Sequence, residues 1–482
     1  MRAHSLVQAT PHSVSGVPSA LDVPGVPSTP VSPRSNSSVT PATRRAYLTA
    51  VVVGSAGLLA AACGANGSTA APKAIEGGKV LFWAEGTGPL PDQLWKEMKA
   101  SFTKAQPKIE VTIDPPTVAQ GQTRDDKIFA AMAAGTMGDS FQRDIPPSYQ
   151  QPLVDQKAVL ALDEYYASMP NLKKVFPWAR TRGKVNGKTY GVPHEVEFID
   201  IFYNKPVFEK LGIRALPTTW DDFLKLNQTI KSSGTQAMNI QKGRTNPGHN
   251  YSMYLMGLIG KEGFDDLLFK DKKWDATPEV VQAAQTMLDL QRQAYIPVDT
   301  VAGDWNQPVD FPQGKVAMWG TGTWNVSRFE QNKKDLQGFD YAFFHLPSQN
   351  AKIKPTIAGG VGGGFSAWAG TKQKDATIAW MDFLVSPTAQ KHWIEILFQV
   401  APIPFNADEY KSPEGMKAAL KTITSVHDMG YNIDVVTPFK WIDAYRDGLN
   451  DILSGKLSPR EWAGRLQQEW DTAKREGRTP KA

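Results

Sequence analysis

Cysteine is almost missing from this 482-residue chain, in which Cys63 is the only one. A single thiol excludes an internal disulfide framework, so stability has to come from a large hydrophobic core, which a chain of this length can build. Histidine is scarce as well, at seven scattered residues. No His/Asp spacing of a metal site, no Ser/His/Asp set and no cysteine nucleophile emerges. A strong net charge is also lacking. The first 62 residues carry Arg2, Arg34, Arg44 and Arg45 against Asp22, so only about +2 of the overall +5 belongs to the remaining 420 residues. That balance gives no basis for a nucleic-acid partner. Beyond residue 62 no apolar run approaches the ~20 residues of a membrane span. Aromatics, by contrast, are plentiful: 14 Trp, 13 Tyr and 21 Phe, all but Tyr47 beyond residue 62. Most are expected in the core and some along a cleft, since Trp is rarely displayed on a surface without purpose.

The apolar run 47–62 is preceded by Arg44-Arg45 and closed by Leu58-Leu59-Ala60-Ala61-Ala62-Cys63. Small residues before a cysteine suit a lipoprotein signal peptidase, whose cleft must admit extended backbone flanked by small side chains. The cut leaves Cys63 as the lipidated first residue. The arginine pair before a modest apolar run resembles a twin-arginine export signal. Residues 1–62 are therefore expected to be a signal peptide, and the protein to be exported and lipid-anchored to the outer face of the cytoplasmic membrane. A transmembrane anchor fits less well, because the run is short and diluted by Gly, Ala, Ser and Thr. A plain secretion signal with an incidental cysteine is the other reading. Residues 63–77 are small and form a flexible linker.

Folding starts at the apolar run 79–83, read as a buried strand. Residues 91–106 show helical spacing, with Leu94, Trp95, Met98 and Phe102 on one face. A strand over Ile109–Ile113 and a helix over 123–134, ended by Gly135, complete a β-α-β-α rhythm that predicts an α/β domain with a largely parallel sheet. Residues 184–193 read as a hairpin turned by Asn186-Gly187. An extended strand follows over 195–203, and Thr218 or Thr219 caps the next helix. Further helices are predicted at 278–295, 376–386, 414–424, 438–454 and 458–474, and strands at 316–320 and 339–345. No internal repeat is visible.

Several motifs recur in a telling order: Val80-Leu81-Phe82-Trp83, Ala133-Ala134-Gly135-Thr136-Met137-Gly138-Asp139, Tyr190-Gly191-Val192-Pro193 and Phe202-Tyr203-Asn204-Lys205-Pro206. Pro217-Thr218-Thr219-Trp220-Asp221-Asp222-Phe223 and Phe311-Pro312-Gln313-Gly314-Lys315 with Gly322-Thr323-Trp324 follow. This set resembles the extracellular solute-binding proteins of ABC importers, in the sugar-binding, maltose-type branch (family 1). The resemblance implies an α/β, two-lobed periplasmic-binding-protein-like fold (type II) with the ligand cleft between lobes and a multi-strand hinge. It assigns 78–190 and 312–370 to lobe 1, and 191–311 and 371–482 to lobe 2. It further implies a monomer with no cofactor, no metal and no enzymatic activity. Such a protein captures a carbohydrate, a di- or oligosaccharide, by hinge-bending closure and delivers it to the transmembrane subunits of a permease.

A sugar site wants aromatic faces for stacking and acids, Arg or Asn for hydrogen bonds. Trp324 matches a family tryptophan that stacks on sugar; Trp319 lies five residues earlier, and Trp441 lies near the family's other cleft tryptophan. Trp83 and Glu85 close the first strand, where ligands collect in open α/β sheets. Asp139, Arg143 and Asp144 fall in the loop that supplies polar contacts in this family. Glu195 and Glu197 share one face of a strand, roughly 7 Å apart, and Glu197 matches a family cleft glutamate. His194 precedes them. The glycine run 359–364, with Gly360 as candidate, resembles the family's crossover near the cleft. It is no phosphate loop, because no Lys-Ser/Thr follows.

Two rival functions stand beside this reading. A secreted glycoside hydrolase would use Glu195 and Glu197 as an acid/base pair, yet both would lie on one side of the ligand. A binder of a non-sugar solute, such as a peptide, a polyamine or a glycerophosphate-like polyol, is the other. A cation would call for more carboxylates and a phosphate for clustered Lys/Arg, whereas the aromatic-plus-acid mix favours a neutral polyol.

Overall fold

Residues 77–85, 89–115, 124–240, 246–353, 356–425 and 429–480 are described by the computed structural model, all within the unit Thr69–Ala482. Cys63, the arginine pair before it and linker residues 63–76 lie outside the described residues. The strands are β1 (Gly78–Trp83), β2 (Ile109–Ile113), β3 (Ser140–Asp144), β4 (Lys184–Val185), β5 (Lys188–Thr189) and β6 (Val192–Pro193). After the longest, β7 (Val196–Asn204), come β8 (Gln236–Met238), β9 (Val316–Gly322), β10 (Tyr341–Phe344), β11 (Ala358–Val361) and β12 (Gly363–Ala367).

They build two five-stranded sheets. The first has the order β2-β1-β3-β12-β6 and the second β10-β7-β9-β8, with β11 also pairing with β7. In the first sheet β1, β2 and β3 run parallel, but β12 joins antiparallel to both neighbours. The second is antiparallel except for β8 on β9. The largely parallel sheet expected from the early rhythm thus holds for β1 to β3 only. Later strands enter the sheets from far along the chain, as β9 does beside β7 and β12 beside β3, and they run antiparallel to those neighbours.

Local chemistry explains the elements. Leu94, Trp95, Met98 and Phe102 form the buried face of the helix Pro89–Ala105, and Trp95 meets Phe82 of β1 edge-on at 5.1 Å. Asn186 and Gly187 turn the β4-β5 hairpin with positive φ at both positions, 51° and 80°, as a type I′ turn requires. Thr219 caps the helix Trp220–Ser232 by accepting from the Asp222 N–H at 3.1 Å. The stretch Asn246–Phe269, two helices joined across a kink at Gly260 (φ 63°), is largely buried and carries no amphipathic period to betray it in the sequence.

Two of the expected lobe segments, 312–370 and 371–482, are divided between the lobes. Residues 316–344 run through the second sheet as β9 and β10. Residues 376–403 pack on the first lobe instead, with Trp380 on Phe82 and Phe102 and Trp393 on Trp95, whereas residues 431–470 stay with the second. The glycine run is the reason, since β11 ends on β7 at Val361 and β12 starts on β3 at Gly363. Among the described residues the chain passes between lobes there, between β6 and β7, and near Val400, whose carbonyl accepts the Val196 N–H at 2.7 Å.

Candidate functional site

The first crossover places Glu195 and Glu197 at the junction of the sheets, only 7% and 8% exposed. Glycine makes room for them. A Cβ on Gly362 would come within 2.6 Å of Glu197 Oε1, and one on Gly363 within 2.7 Å of His194 Nε2. Burial, reinforced by the charges of Glu85 and Asp144, pushes the Glu195 carboxyl up to about 8. Glu197 is raised well above the usual carboxylate range, by burial first and then by Glu195, Asp144 and Asp434. Glu85 and Asp144 thus act on Glu195, and Glu195 and Asp144 act on Glu197. Strand alternation makes the two glutamates neighbours on one face.

His194 supports this corner from behind. Its ring clusters with those of Phe365 and Trp393, at 4.9 and 4.8 Å, and burial pushes it down to about 3. Gln142 uses its Oε1 to accept the Glu85 N–H at 2.9 Å. Its Nε2, also 2.9 Å from His194 Nε2, is left to donate to the neutral imidazole. The chain His194, Gln142, Glu85 thus fixes the backbone at the end of β1.

Trp324 lies just past β9 in the turn Thr323–Asn325, half-buried. Its ring covers Gly322, where a Cβ would approach within 1.9 Å, and it meets the His249 ring at 4.9 Å. His249 lies 4.0 Å from Asp434 and is held below the usual imidazole range by burial. Arg446 donates to Asp434 through Nε at 3.1 Å and Nη2 at 2.7 Å, and its Nη2 reaches Tyr149 Oη of the first lobe at 3.5 Å. Beside Tyr149, the Ser148 hydroxyl donates to the Val435 carbonyl at 3.2 Å. Arg182, also of the first lobe, donates to the Met429 carbonyl at 2.8 Å, its guanidinium 3.8 Å from the Tyr431 ring centroid. The lobes thus meet along residues 429–436.

Tyr149, Arg182, His249, Asp434 and Arg446 were not among the residues picked from sequence. Arg446 sits five residues beyond Trp441 on the helix Phe439–Leu453, about 140° further round at ~100° per residue. Choosing the tryptophan meant choosing the wrong face.

The remaining candidates are dispersed. Trp441 is fully buried against Trp274 at 4.7 Å, its indole N–H donating to the Leu466 carbonyl at 3.0 Å. Trp319 is 3% exposed and packs on Phe311 and Phe329. Both are core residues because they share the apolar faces of their elements. Asp139 is a scaffold tie, accepting the Leu81 N–H at 2.8 Å and the Thr371 hydroxyl at 2.5 Å. Trp83 is buried with Ile128, Met137 and Phe141. Arg143 pairs with Asp125 at 3.1 Å and lies 5.9 Å from the Tyr149 ring. Gly360 pairs with Glu197 at φ 137°, a conformation that favours glycine. Among the described residues no group of His, Cys, Asp and Glu is arranged to hold a metal ion.

The profile of the bacterial extracellular solute-binding proteins matches residues 87–391, well over half of the chain. The protein belongs to that family. No helix among the described residues is long and apolar enough to cross a membrane. This solute-binding protein is 26% identical over 239 residues to a binding protein of Brucella abortus (strain 2308), covering 47% of its own length and 53% of that protein's. The chain thus spans about half the length of such curated relatives. It is also 26% identical over 347 residues to the diacetylchitobiose binding protein DasA of Streptomyces coelicolor, covering 67% of this chain and 74% of that one. A solved structure from work on xylan utilization by Caldanaerobius polysaccharolyticus superposes with a TM-score of 0.69 at 22% identity, over 81% of this chain and 99% of that one. That likeness establishes the two-lobed fold.

Proposed function

We propose that this solute-binding protein captures a carbohydrate, a di- or oligosaccharide, and delivers it to the transmembrane subunits of an ABC permease. One observation carries the reading: the half-buried face of Trp324 lies in a seam between lobes that also holds buried hydrogen-bonding acids. A ring face for sugar C–H groups and carboxyls for hydroxyls are what a saccharide needs. The relative that binds diacetylchitobiose supports the same class. Ligand in the seam would touch both lobes and favour their closure. A thermal-shift screen against a saccharide panel tests this, because a ligand bound to the folded state raises stability as ln(1 + [L]/Kd). No shift with any saccharide would overturn it.

The protein acts as a binder, without catalysis. Glu197 lies on β7 and Glu195 just before it, two residues apart, an arrangement that does not flank a glycosidic bond as hydrolysis requires. Turnover of a disaccharide by the purified protein would reverse that statement. Its place of work is the outer face of the membrane, held as a monomer through lipid on Cys63 and the linker after it. Durable anchoring takes more than one acyl chain. Cys63→Ala is expected to shift the protein from the membrane fraction to the medium; retention in the membrane would exclude the anchor.

A further inference from the structure

The passage between lobes near Val400 is built under strain. A short π-helical turn, Trp393–Leu397, is followed by a reversal at Phe398, whose backbone is left-handed (φ 59°, ψ 35°). Glycine or asparagine is the usual residue in that place, because a bulky side chain is disfavoured there. The turn is fixed from both lobes: Trp393 lies in the core of the first, and Phe398 packs against the core of the second. The Gln399 N–H donates back to the Trp393 carbonyl at 3.1 Å, and the Val400 carbonyl accepts from the Val196 N–H at 2.7 Å. With the His194 ring 4.8 Å from that of Trp393, the two crossovers are joined on either side of Glu195.

The reversal delivers the Gln399 side chain to Glu195, whose carboxyl it hydrogen-bonds. Gln399 Oε1 is buried and has no partner among the described residues, so the bond to Glu195 is made by the Nε2 donor. A donor alone would serve the carboxyl. The amide adds an acceptor that nothing in the described protein uses, and an unmet buried acceptor lowers stability. Backbone strain and unmet polar atoms collect where a ligand is received. We propose that Gln399 is a ligand-contacting residue of the saccharide site, with Nε2 orienting the Glu195 carboxyl and Oε1 accepting an O–H of the sugar. The inference rests on the carbohydrate reading above and adds a residue that none of the sequence motifs marked. Because Gln399 belongs to a passage between lobes, a hydroxyl held there ties the sugar to the hinge itself. The requirement on the ligand is specific: it must present a donor at that point, beside a second hydroxyl for Glu195.

Calorimetric titration tests this with the tightest-binding member of a saccharide panel headed by cellobiose, maltose and N,N′-diacetylchitobiose. Gln399→Met keeps the side-chain length and lacks both amide groups; affinity should fall at least about tenfold. Without saccharide, its melting temperature should stay within about 2 °C of wild type or rise, since the unmet acceptor is gone. Gln399→Glu sets a second carboxylate against Glu195 and should bind as weakly at about pH 9. At about pH 5 its protonated carboxyl again offers one donor and one acceptor, and affinity should recover to within about threefold of wild type at the same pH. Glu85, Asp144, Glu197 and His194 surround Glu195 in both proteins, so the ratio to wild type isolates position 399. Wild-type affinity in Gln399→Met, or no recovery of Gln399→Glu in acid, overturns the assignment and leaves the carbohydrate reading intact. A melting temperature lowered by more than about 5 °C in Gln399→Met marks a structural role and overturns it as well. Failure of the wild type to bind any member of the panel removes the carbohydrate reading, and the inference with it.

Discussion

The interior of the second lobe and the seam between lobes use the same residue types in opposite ways. In the interior, Trp441 is enclosed by Trp274 and Trp470 and its N–H is satisfied by a carbonyl. Asp200, in the middle of β7, accepts the N–H groups of Leu346 and Ile201 and is paired with His345. In the seam, Trp324 keeps part of its ring uncovered. Glu197, three residues before Asp200 on the same strand, has no such partners and faces further carboxylates. The difference separates groups that hold the fold from groups held ready for something else. Burial alone does not distinguish the two acids, because both are buried; the hydrogen bonds that Asp200 accepts and Glu197 lacks do.

Substitutions can break this contrast, and the largest effect belongs to the interior. Trp441→Ala removes a fully buried indole and should cost about 3–5 kcal/mol of stability, while leaving saccharide affinity unchanged at temperatures where the protein is folded. Denaturant unfolding with parallel titration checks both halves. A loss of affinity with intact stability would move Trp441 into the site. Asp200→Asn comes next. It strips an acceptor from His345 and weakens the anchoring of Leu346, for an expected loss of about 1–3 kcal/mol, again without an effect on ligand. Asp200 bridges the point on β7 where β10 gives way to β11, which is why a carboxylate is tolerated there.

Much of the framework was legible in the sequence, because helical spacing, the Asn-Gly turn and the threonine cap are local chemistry. The face of Leu94, Trp95, Met98 and Phe102 and the turn at Asn186-Gly187 needed nothing beyond neighbouring residues. The lobe boundaries were not legible, since the pairing of β12 with β3 rather than β7 depends on contacts more than 200 residues apart. The site divided along the same line. Glu195 and Glu197 follow from strand alternation, and Trp324 from its motif. Asp434, Arg446 and Tyr149 come together only when the lobes meet, and no spacing in the chain announces that meeting.

Trp324→Ala is the substitution that tests the seam side of the contrast. Loss of ring stacking should weaken saccharide binding by about 1–3 kcal/mol, and stability should fall less than for Trp441, because Trp324 is partly exposed. Unchanged affinity by calorimetry would exclude the ring from the site and leave the carboxylates alone there.

The gentlest probe is pH, which acts on the seam without altering packing. Glu195 is raised from the ordinary 4.5 to about 8, so the folded protein holds a proton that the unfolded chain has already released. Stability from this group is complete below about pH 4.5 and declines as pH climbs toward 8. His194 behaves oppositely. Lowered from 6.5 to about 3, it is neutral when folded, and stability declines as pH falls below 6.5 toward 3. The two slopes place the melting maximum in mildly acid solution, at about pH 5–6. Glu195→Gln should remove part of the alkaline slope, raising the melting temperature at pH 8 by about 2–4 °C relative to wild type and leaving the acid side unchanged. A wild-type melting temperature that climbs steadily from pH 6 to 8 would mean that the seam glutamates are ionised and compensated in the folded state. Glu197 would then resemble Asp200, and the distinction between interior and seam would disappear.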